Sequence, residues 1–370
     1  TRYWRDWSSD VCSSDLGGQA GIICDALADP ACGAEIVRAI RAGVTAPLAD
    51  GELAAVTFRG LADLDLDESD LVPTQIIRSE RFNTTLVFDE RLTLKTFRCV
   101  EPEINPDFEM RSFLAARQDS LIVAPVLGYM EYRRVHGPPV TVAVLNQYIP
   151  NQGTAWVLTL NQLSQFYERI AADLHRRDVE PPPLDAINGE QTTLDAAMAG
   201  FETHARKLGA HTAAMHRTLA SARIEPEFRP EPFGRLYQRS LYQSMRNLTH
   251  HVFTRLAAGR KRLPEATAAD ADRLLALRET LLERFQQVSS RNYGGSRIRI
   301  HGDYELDQIL YTGSEFVVHD FEADADDSSG ERRVKRCPLR DVASMLRSFD
   351  YAAHAALHDL HDKQARPPGM

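Results

Sequence analysis

Several absences bound the sequence before any motif is read. It holds only five cysteines, Cys12, Cys24, Cys32, Cys99 and Cys337, with no CxxC pair and no spacing of a disulfide framework. A reducing cytoplasm is therefore the expected compartment. It has no long apolar run. The longest, near Leu121 to Met130, falls well short of the ~20 residues that a bilayer-spanning helix needs, so no membrane partner is expected. It has no excess of positive charge: 43 Lys and Arg stand against 52 Asp and Glu, a formal charge of -9. That argues against a nucleic-acid or anionic-membrane partner for the chain as a whole, while leaving room for a local phosphate pocket. No internal repeat is found. What is present, 43% hydrophobic and 26% charged residues over 370 positions, is the composition of a soluble globular protein of two or three domains.

The first residues stand apart. "DWSSDVCSSDL", Asp6 to Leu16, has no helical or strand period and no signal-peptide core. It matches the translation of a common sequencing adapter, so residues 1 to 16 are read as an adapter-like artefact without structure. Residues 17 to 75 read as a small α+β cap module. A helical pattern there is interrupted by Pro30 and ended by Gly43, an alternating strand "GELAAVTFRGL" follows, and Ala62 to Asp70 form an acidic connector. Residues 76 to 150 read as a β-rich lobe with one helix. Its strands are "NTTLVFDE", "LTLKTFR", "VAPVLGYMEYRR" and "VTVAVLNQYIP", with "DERL" as a hairpin turn. Asn105, Pro106 and Asp107 are the start signals of its helix. Residues 151 to 370 read as a mostly helical lobe, with long amphipathic segments over 160–177, 193–222 and 268–290. A short strand pair over 297–322 and a final helix from Leu339 complete it.

The chemistry concentrates in "IHGDYELDQILYTGSEFVVHDFEAD", residues 300 to 324. Phosphoryl transfer from ATP needs held phosphates, cations to spread charge, and a carboxylate at the attacking oxygen. Asp303 is the candidate catalytic base. Gln308 and Asp320 supply hard oxygen ligands for Mg2+, with Glu322 near enough to assist. Upstream, Lys95 on a strand is the candidate phosphate lysine, and Glu109 on the next helix is its expected ion-pair partner. Asn83, Thr84 and Thr85 fall where a phosphate-covering turn belongs, although the segment lacks glycine. Gln147 and Ile149 of "NQYIPNQG" stand at the expected hinge, where backbone groups read adenine. The basic run Arg332 to Arg340 reads either as a phosphate screen or as a solvated, ion-paired face. Asp341 reads as an N-terminal capping or loop-bracing residue, His204, His211 and His216 as partly buried or surface positions rather than metal ligands, and Trp156 as packing rather than sugar stacking.

Residues 76 to 353 resemble the maltokinases, including the maltokinase part of trehalose synthase–maltokinase fusions, which belong to the aminoglycoside-phosphotransferase-like kinases. The pieces that carry the resemblance are "FNTTLVFDERLTLKTFR", "EPEINPDFEMRSFL", "QYIPNQGTAW", "IHGDYELDQIL", "VVHDFE" and "ERRVKRCPLRDVASMLRSFDYAA". The resemblance implies an α+β, bilobal protein-kinase-like fold with an N-terminal cap and a helical C-lobe. It implies transfer from ATP with Mg2+ to the anomeric hydroxyl of maltose, and a trehalose synthase domain in the same or a neighbouring chain. It also implies a longer helical tail, so the chain is read as truncated at its C-terminus.

Three positions depart from the family pattern. Glu305 and Asp307 replace a histidine and a glycine in the catalytic loop, and Thr154 replaces an aspartate. Extra carboxylates beside Asp303 would raise its proton affinity unless each is neutralised. The departures leave two other readings open: a kinase for another sugar such as glucosamine, or a nucleotide-binding pseudokinase or regulatory domain.

Overall fold

The computed structural model describes residues 12–16, 19–23, 26–77, 83–117, 122–177, 191–291, 293–321 and 329–365. They divide into two compact units, one of residues 1–219, 301–334 and 339–370, the other of residues 220–300 and 335–338.

The first unit begins with a two-stranded antiparallel ribbon, β1 (Cys12–Leu16) and β2 (Gln19–Ile23), in a stretch where the sequence reading expects no regular element. Helix α1 (Pro30–Ala42) follows. Pro30 does not interrupt this helix but opens it, since a first-turn proline gives up an N–H that has no helical partner anyway. Asp29 caps it, accepting from Ala31 N at 2.9 Å, and Gly43 ends it in the left-handed region at φ 62°, where a glycine meets no Cβ penalty.

Strands β3 (Thr45–Leu48) and β4 (Gly51–Thr57) come next, then the short helix α2 (Arg59–Ala62). Strands β5 (Gln75–Ile77), β6 (Asn83–Phe88) and β7 (Leu92–Phe97), helix α3 (Pro106–Ala115), and strands β8 (Val126–Arg134) and β9 (Val140–Gln147) complete the β-rich part. The strands form one antiparallel sheet of order β3-β4-β8-β9-β7-β6-β5. The segment read as a separate cap therefore supplies two strands to the same sheet, through pairing of β4 with β8 from Gly51↔Arg134 to Thr57↔Gly128. The turn between β6 and β7 is the expected one. Asp89 and Glu90 have φ 45° and 52° in a three-residue loop between the paired Phe88 and Leu92, closed by Arg91 N donating to the Phe88 carbonyl at 2.9 Å.

Alternation along the strands sorts side chains onto two faces. One face packs Leu86, Phe88, Leu94 and Leu145 against Val37 and Ile40 of α1. The other carries Lys95 and packs Phe97 and Val144 with Phe108 of α3. Helix α1 approaches the sheet at Gly128, where an added Cβ would lie 2.5 Å from Ile40 Cγ2 and 2.7 Å from the Val56 carbonyl oxygen. Gly128→Ala is expected to destabilise the protein by about 1–3 kcal/mol, the usual cost of overpacking, read as a lowered midpoint in urea unfolding. An unchanged midpoint would show that the helix can shift freely.

Helices α4 (Ala155–Arg177) and α5 (Gln191–Leu219) follow, and the chain then enters the second unit. There β10 (Glu231–Pro232) pairs with β11 (Ser296–Arg297) beside helices α6 (Arg235–Gly259), α7 (Glu265–Ala276) and α8 (Arg278–Ser290). The sequence reading expects no helix over α6, and one unbroken helix where α7 and α8 meet at Leu277. The reason is shared: these helices bury little, with Gln238, Thr249 and Phe253 the buried positions of α6 and none in α8, so no apolar stripe marks them.

Back in the first unit, β12 (Ile309–Tyr311) and β13 (Phe316–Val318) form a hairpin. The short helix α9 (Ser329–Arg332) and the long α10 (Leu339–Ala365) follow. Among the described residues, no helix is long and apolar enough to cross a membrane.

Candidate active site

A cleft of 490 Å³ in the first unit collects residues from four parts of the chain, within the ~300–1,000 Å³ usual for small-ligand sites. Strand β7 contributes Lys95, the hinge Gln147 and Ile149, and the loop before β12 Gln308. The turn after β13 contributes Asp320. These are five of the residues singled out by sequence. Asp303, Glu109, Asn83 and Thr84 do not line it.

Lys95 is buried, and its Nζ donates to Asp320 Oδ1 at 2.9 Å. Its helix partner is Asp107, 3.7 Å away and fully buried. Glu109, the expected partner, instead receives Arg333 Nε at 3.1 Å. Asp107 is held from every side. Its Oδ2 accepts from Arg111 at 2.7 Å and its Oδ1 from Phe321 N at 3.0 Å. Burial alone would push its pKa up, but the Arg111 guanidinium and the Lys95 ammonium outweigh that and hold the carboxyl well below the usual range. The buried Lys95, Arg111 and Asp107 and the half-buried Asp320 thus bring together two cations and two anions, which is how such charges tolerate a low-dielectric site.

Asp320 sits at φ 59°, a left-handed conformation that costs a non-glycine residue about 1–2 kcal/mol. The bonds around it fix that geometry. His319 N donates to the Gln308 carbonyl at 3.0 Å, Phe321 N to Asp107, and Lys95 to the Asp320 carboxylate itself. Observed strain of this kind clusters at functional sites.

His319 is driven down to a pKa of about 4 by burial, so it is neutral near pH 7. Its folded value lies below the unfolded 6.5. Its contribution to stability is therefore intact above pH 6.5 and is lost as pH falls from there towards 4. The melting temperature measured from pH 7.5 to 4.5 is expected to fall over that window, and His319→Gln is expected to flatten the fall. An identical profile in the variant would assign the loss to other groups.

The loop that carries Asp303 is braced from behind. Asp341, fully buried, accepts from His301 N and Gly302 N at 3.0 Å each, and His216 Nε2 lies 2.8 Å from the same carboxylate. His301 Nε2 donates to the His319 carbonyl at 3.1 Å, which fixes its tautomer and ties the two halves of the loop together. Tyr304, buried with its hydroxyl 2.9 Å from Thr212 Oγ1, is pushed well above the usual tyrosine pKa by desolvation. Asp303 itself is half-buried and has no partner among the described residues.

The two departures beside Asp303 have separate partners, and only the first is a cation. Glu305 pairs with Arg347, and Asp307 Oδ1 accepts from Thr154 Oγ1 at 3.0 Å. Thr84 is buried, with its hydroxyl accepting from Arg98 Nε at 2.9 Å. Asn83 is also buried, and Thr85 faces the cleft in their place. Residues 78–82 and Glu322 lie outside the described residues.

The basic run is ion-paired: Arg332 with Glu101, Arg333 with Glu103 and Glu109, and Lys335 with Glu231. Trp156 stacks on Tyr351 at 5.6 Å. His204 and His211 bond to Gln162, Tyr311 and Glu315. No cluster of metal-ligating His, Cys, Asp or Glu exists among the described residues. Sequence reasoning missed Asp107, Arg111 and His319. The signal for the first two was their spacing of four on α3, which puts an acid and a base on the same side of the helix.

The fold is the expected α+β, kinase-like one, an antiparallel sheet with a helical part behind the cleft. No protein-family model matches the chain. Among solved structures, it is similar to a glucosamine kinase in complex with glucosamine, ADP and inorganic phosphate, with a TM-score of 0.60 at 18% identity over 94% of this chain and 71% of that one. A second glucosamine kinase structure, crystal form A, gives a TM-score of 0.62 at 18% identity over 94% of this chain and 67% of that one.

Proposed function

We propose that the chain is an ATP-dependent phosphotransferase acting on a sugar hydroxyl. The observation that carries this reading is the Lys95–Asp320 contact at 2.9 Å, in a cleft bounded by the hinge at Gln147–Ile149 and by Gln308. Lys95 holds the nucleotide phosphates. The Ile149 N–H, which has no partner among the described residues, faces adenine. Asp320 and Gln308 supply carboxylate and amide oxygens on one wall, the hard donors that fit Mg2+. When bound, that ion spreads the charge of the transferring phosphoryl group.

Asp303, which no described residue engages, orients the acceptor hydroxyl. The hydroxyl oxygen bonds to the γ-phosphorus, the bond to the bridging oxygen breaks, ADP departs, and the hydroxyl proton passes to Asp303.

The acceptor reading is maltose, phosphorylated to maltose 1-phosphate, supported by the motifs around Lys95, Asp303 and Asp320. A trehalose synthase domain would then be the supplier of maltose, and the cytoplasm the setting. A second reading, glucosamine, is supported by the likeness to glucosamine kinase structures. Incubating the chain with ATP, Mg2+ and each sugar in turn, with phosphosugars resolved by 31P NMR, separates the two. No phosphosugar formed from either sugar would sink both.

A further inference from the structure

We propose that the basic face of helix α6 binds the acidic connector, residues 62–70, of a second copy of the chain, so that copies join head to tail. The inference stands independently of the phosphotransferase reading.

Charge is divided unevenly along the chain. The second unit, residues 220–300 and 335–338, holds 17 Lys and Arg against 8 Asp and Glu, although the whole chain carries -9. The excess centres on α6. Between Glu231 and Glu265 stand six arginines and one lysine, and no acid. Acids of the same unit are engaged elsewhere: Asp272 with Arg260, Asp270 with Arg273, and Glu231 with Arg297 and Lys335. Arg235, Arg239 and Arg246 are exposed and have no ion pair or hydrogen bond among the described residues. Their spacings of four and seven place them within about 40° on one side of the helix. Like charges four apart weaken a helix, and α6 buries only Gln238, Thr249 and Phe253 against that repulsion. Carboxylates brought from outside would offset it.

The connector is the complement. Ala62 to Asp70 contains five acids and no base. Asp63, Asp65, Asp67 and Glu68 are exposed. Glu68 pairs with Arg38, and Asp67 accepts from Ser69 N and Asp70 N. The Asp63 and Asp65 carboxylates have no partner among the described residues. Arginine forks hold carboxylates through two parallel bonds, and two surfaces that each lack a counter-charge attract within the ~10 Å that about 0.1 M salt leaves unscreened. Other polyanions fit less well. The exposed Leu236 and Leu248 of α6 lie about 120° apart round the helix, so they form no single face to enter a lipid surface. A nucleic acid would run past the basic face towards a chain whose remainder is acidic. Because the two surfaces differ, the contact is heterologous and builds a ring or an open chain of copies.

The test uses two variants of the full chain. One combines Arg235→Gln, Arg239→Gln and Arg246→Gln, and the other combines Asp63→Asn and Asp65→Asn. None of these side chains makes a described bond, and circular dichroism would confirm that both variants fold. Sedimentation velocity at about 0.1 M salt is expected to show wild type above the monomer mass. At about 1 M salt, where charges interact over only ~3 Å, it is expected to return to monomer. In each variant alone the dissociation constant is expected to rise on the order of tenfold, the worth of two or three exposed pairs. Mixed one to one, the variants are expected to give a dimer and nothing larger, because the mixture keeps one intact basic face and one intact connector for each pair of chains. A wild type that stays monomeric at about 0.1 M salt up to its solubility limit overturns the inference. So does association that persists undiminished in either variant, or a mixture that associates no better than its parts. Wild type that binds anionic vesicles or duplex DNA through the three arginines, without associating, overturns it in favour of that polyanion.

Discussion

Asp303→Asn is expected to slow phosphoryl transfer by roughly 10²–10⁴-fold, the range a positioned base contributes, while nucleotide affinity stays nearly unchanged. The substitution keeps the shape of the side chain and removes only its ability to take a proton. No described ion pair or hydrogen bond is broken, because Asp303 has none, and it does not line the nucleotide cleft. The change should therefore appear in kcat rather than in the dissociation constant for ADP. Parallel rate and binding measurements check this. A kcat within tenfold of wild type would remove Asp303 from the chemistry, and a matching loss of ADP affinity would move it into the nucleotide site.

The second large effect is structural. Asp341→Ala is expected to cost on the order of 3–5 kcal/mol, as when one partner of a buried charged cluster is deleted. Three groups lose their acceptor at once: His301 N, Gly302 N and the ring of His216. Each buried donor left unsatisfied costs about 1–3 kcal/mol. Against a typical total of about 5–15 kcal/mol, that is enough to expose a large unfolded fraction on mild heating. Asp341→Asn keeps one carbonyl oxygen and should lose less. Urea midpoints ordered wild type, Asn, Ala would bear the argument out. An Ala variant as stable as wild type would mean that the loop carries itself.

Local signals were readable from the sequence where one stretch decides the outcome. The hairpin at Asp89–Glu90 and the Asn105–Pro106 helix start follow from residues within a few positions of each other. Asp341 stands at the start of the last helix, where the sequence leaves capping and loop bracing both open; the bonds to His301 N and Gly302 N are the bracing kind. What escaped depends on pairing across distance. Nothing in "GELAAVTFRGL" says that it adds to the strand of residues 126–134, because an alternating strand records which face is buried and not which neighbour it meets. The choice between Asp107 and Glu109 failed for a different reason. Both are acidic and two apart, and two residues along a helix point to opposite sides. Asp107 lies three before Met110 and seven before Leu114, but Glu109 lies four before Phe113, and all three are buried positions of α3, so the apolar stripe does not decide between them. Helix α6 escaped because a helix that buries three side chains writes almost no period.

The bond from Lys95 to Asp320 spans 225 positions. During synthesis at about 5–20 residues per second, every strand of the seven-stranded sheet has been made by Gln147, but Asp320 emerges only about 11–45 s after Lys95. Through that interval the growing chain carries Lys95 without the Asp320 carboxylate, while Asp107 follows within seconds. Asp107 is thus the first of the two carboxylates near Lys95 in the finished fold to be made. Its loss should reduce the yield of folded protein made at 37 °C more than its effect on the finished molecule would suggest.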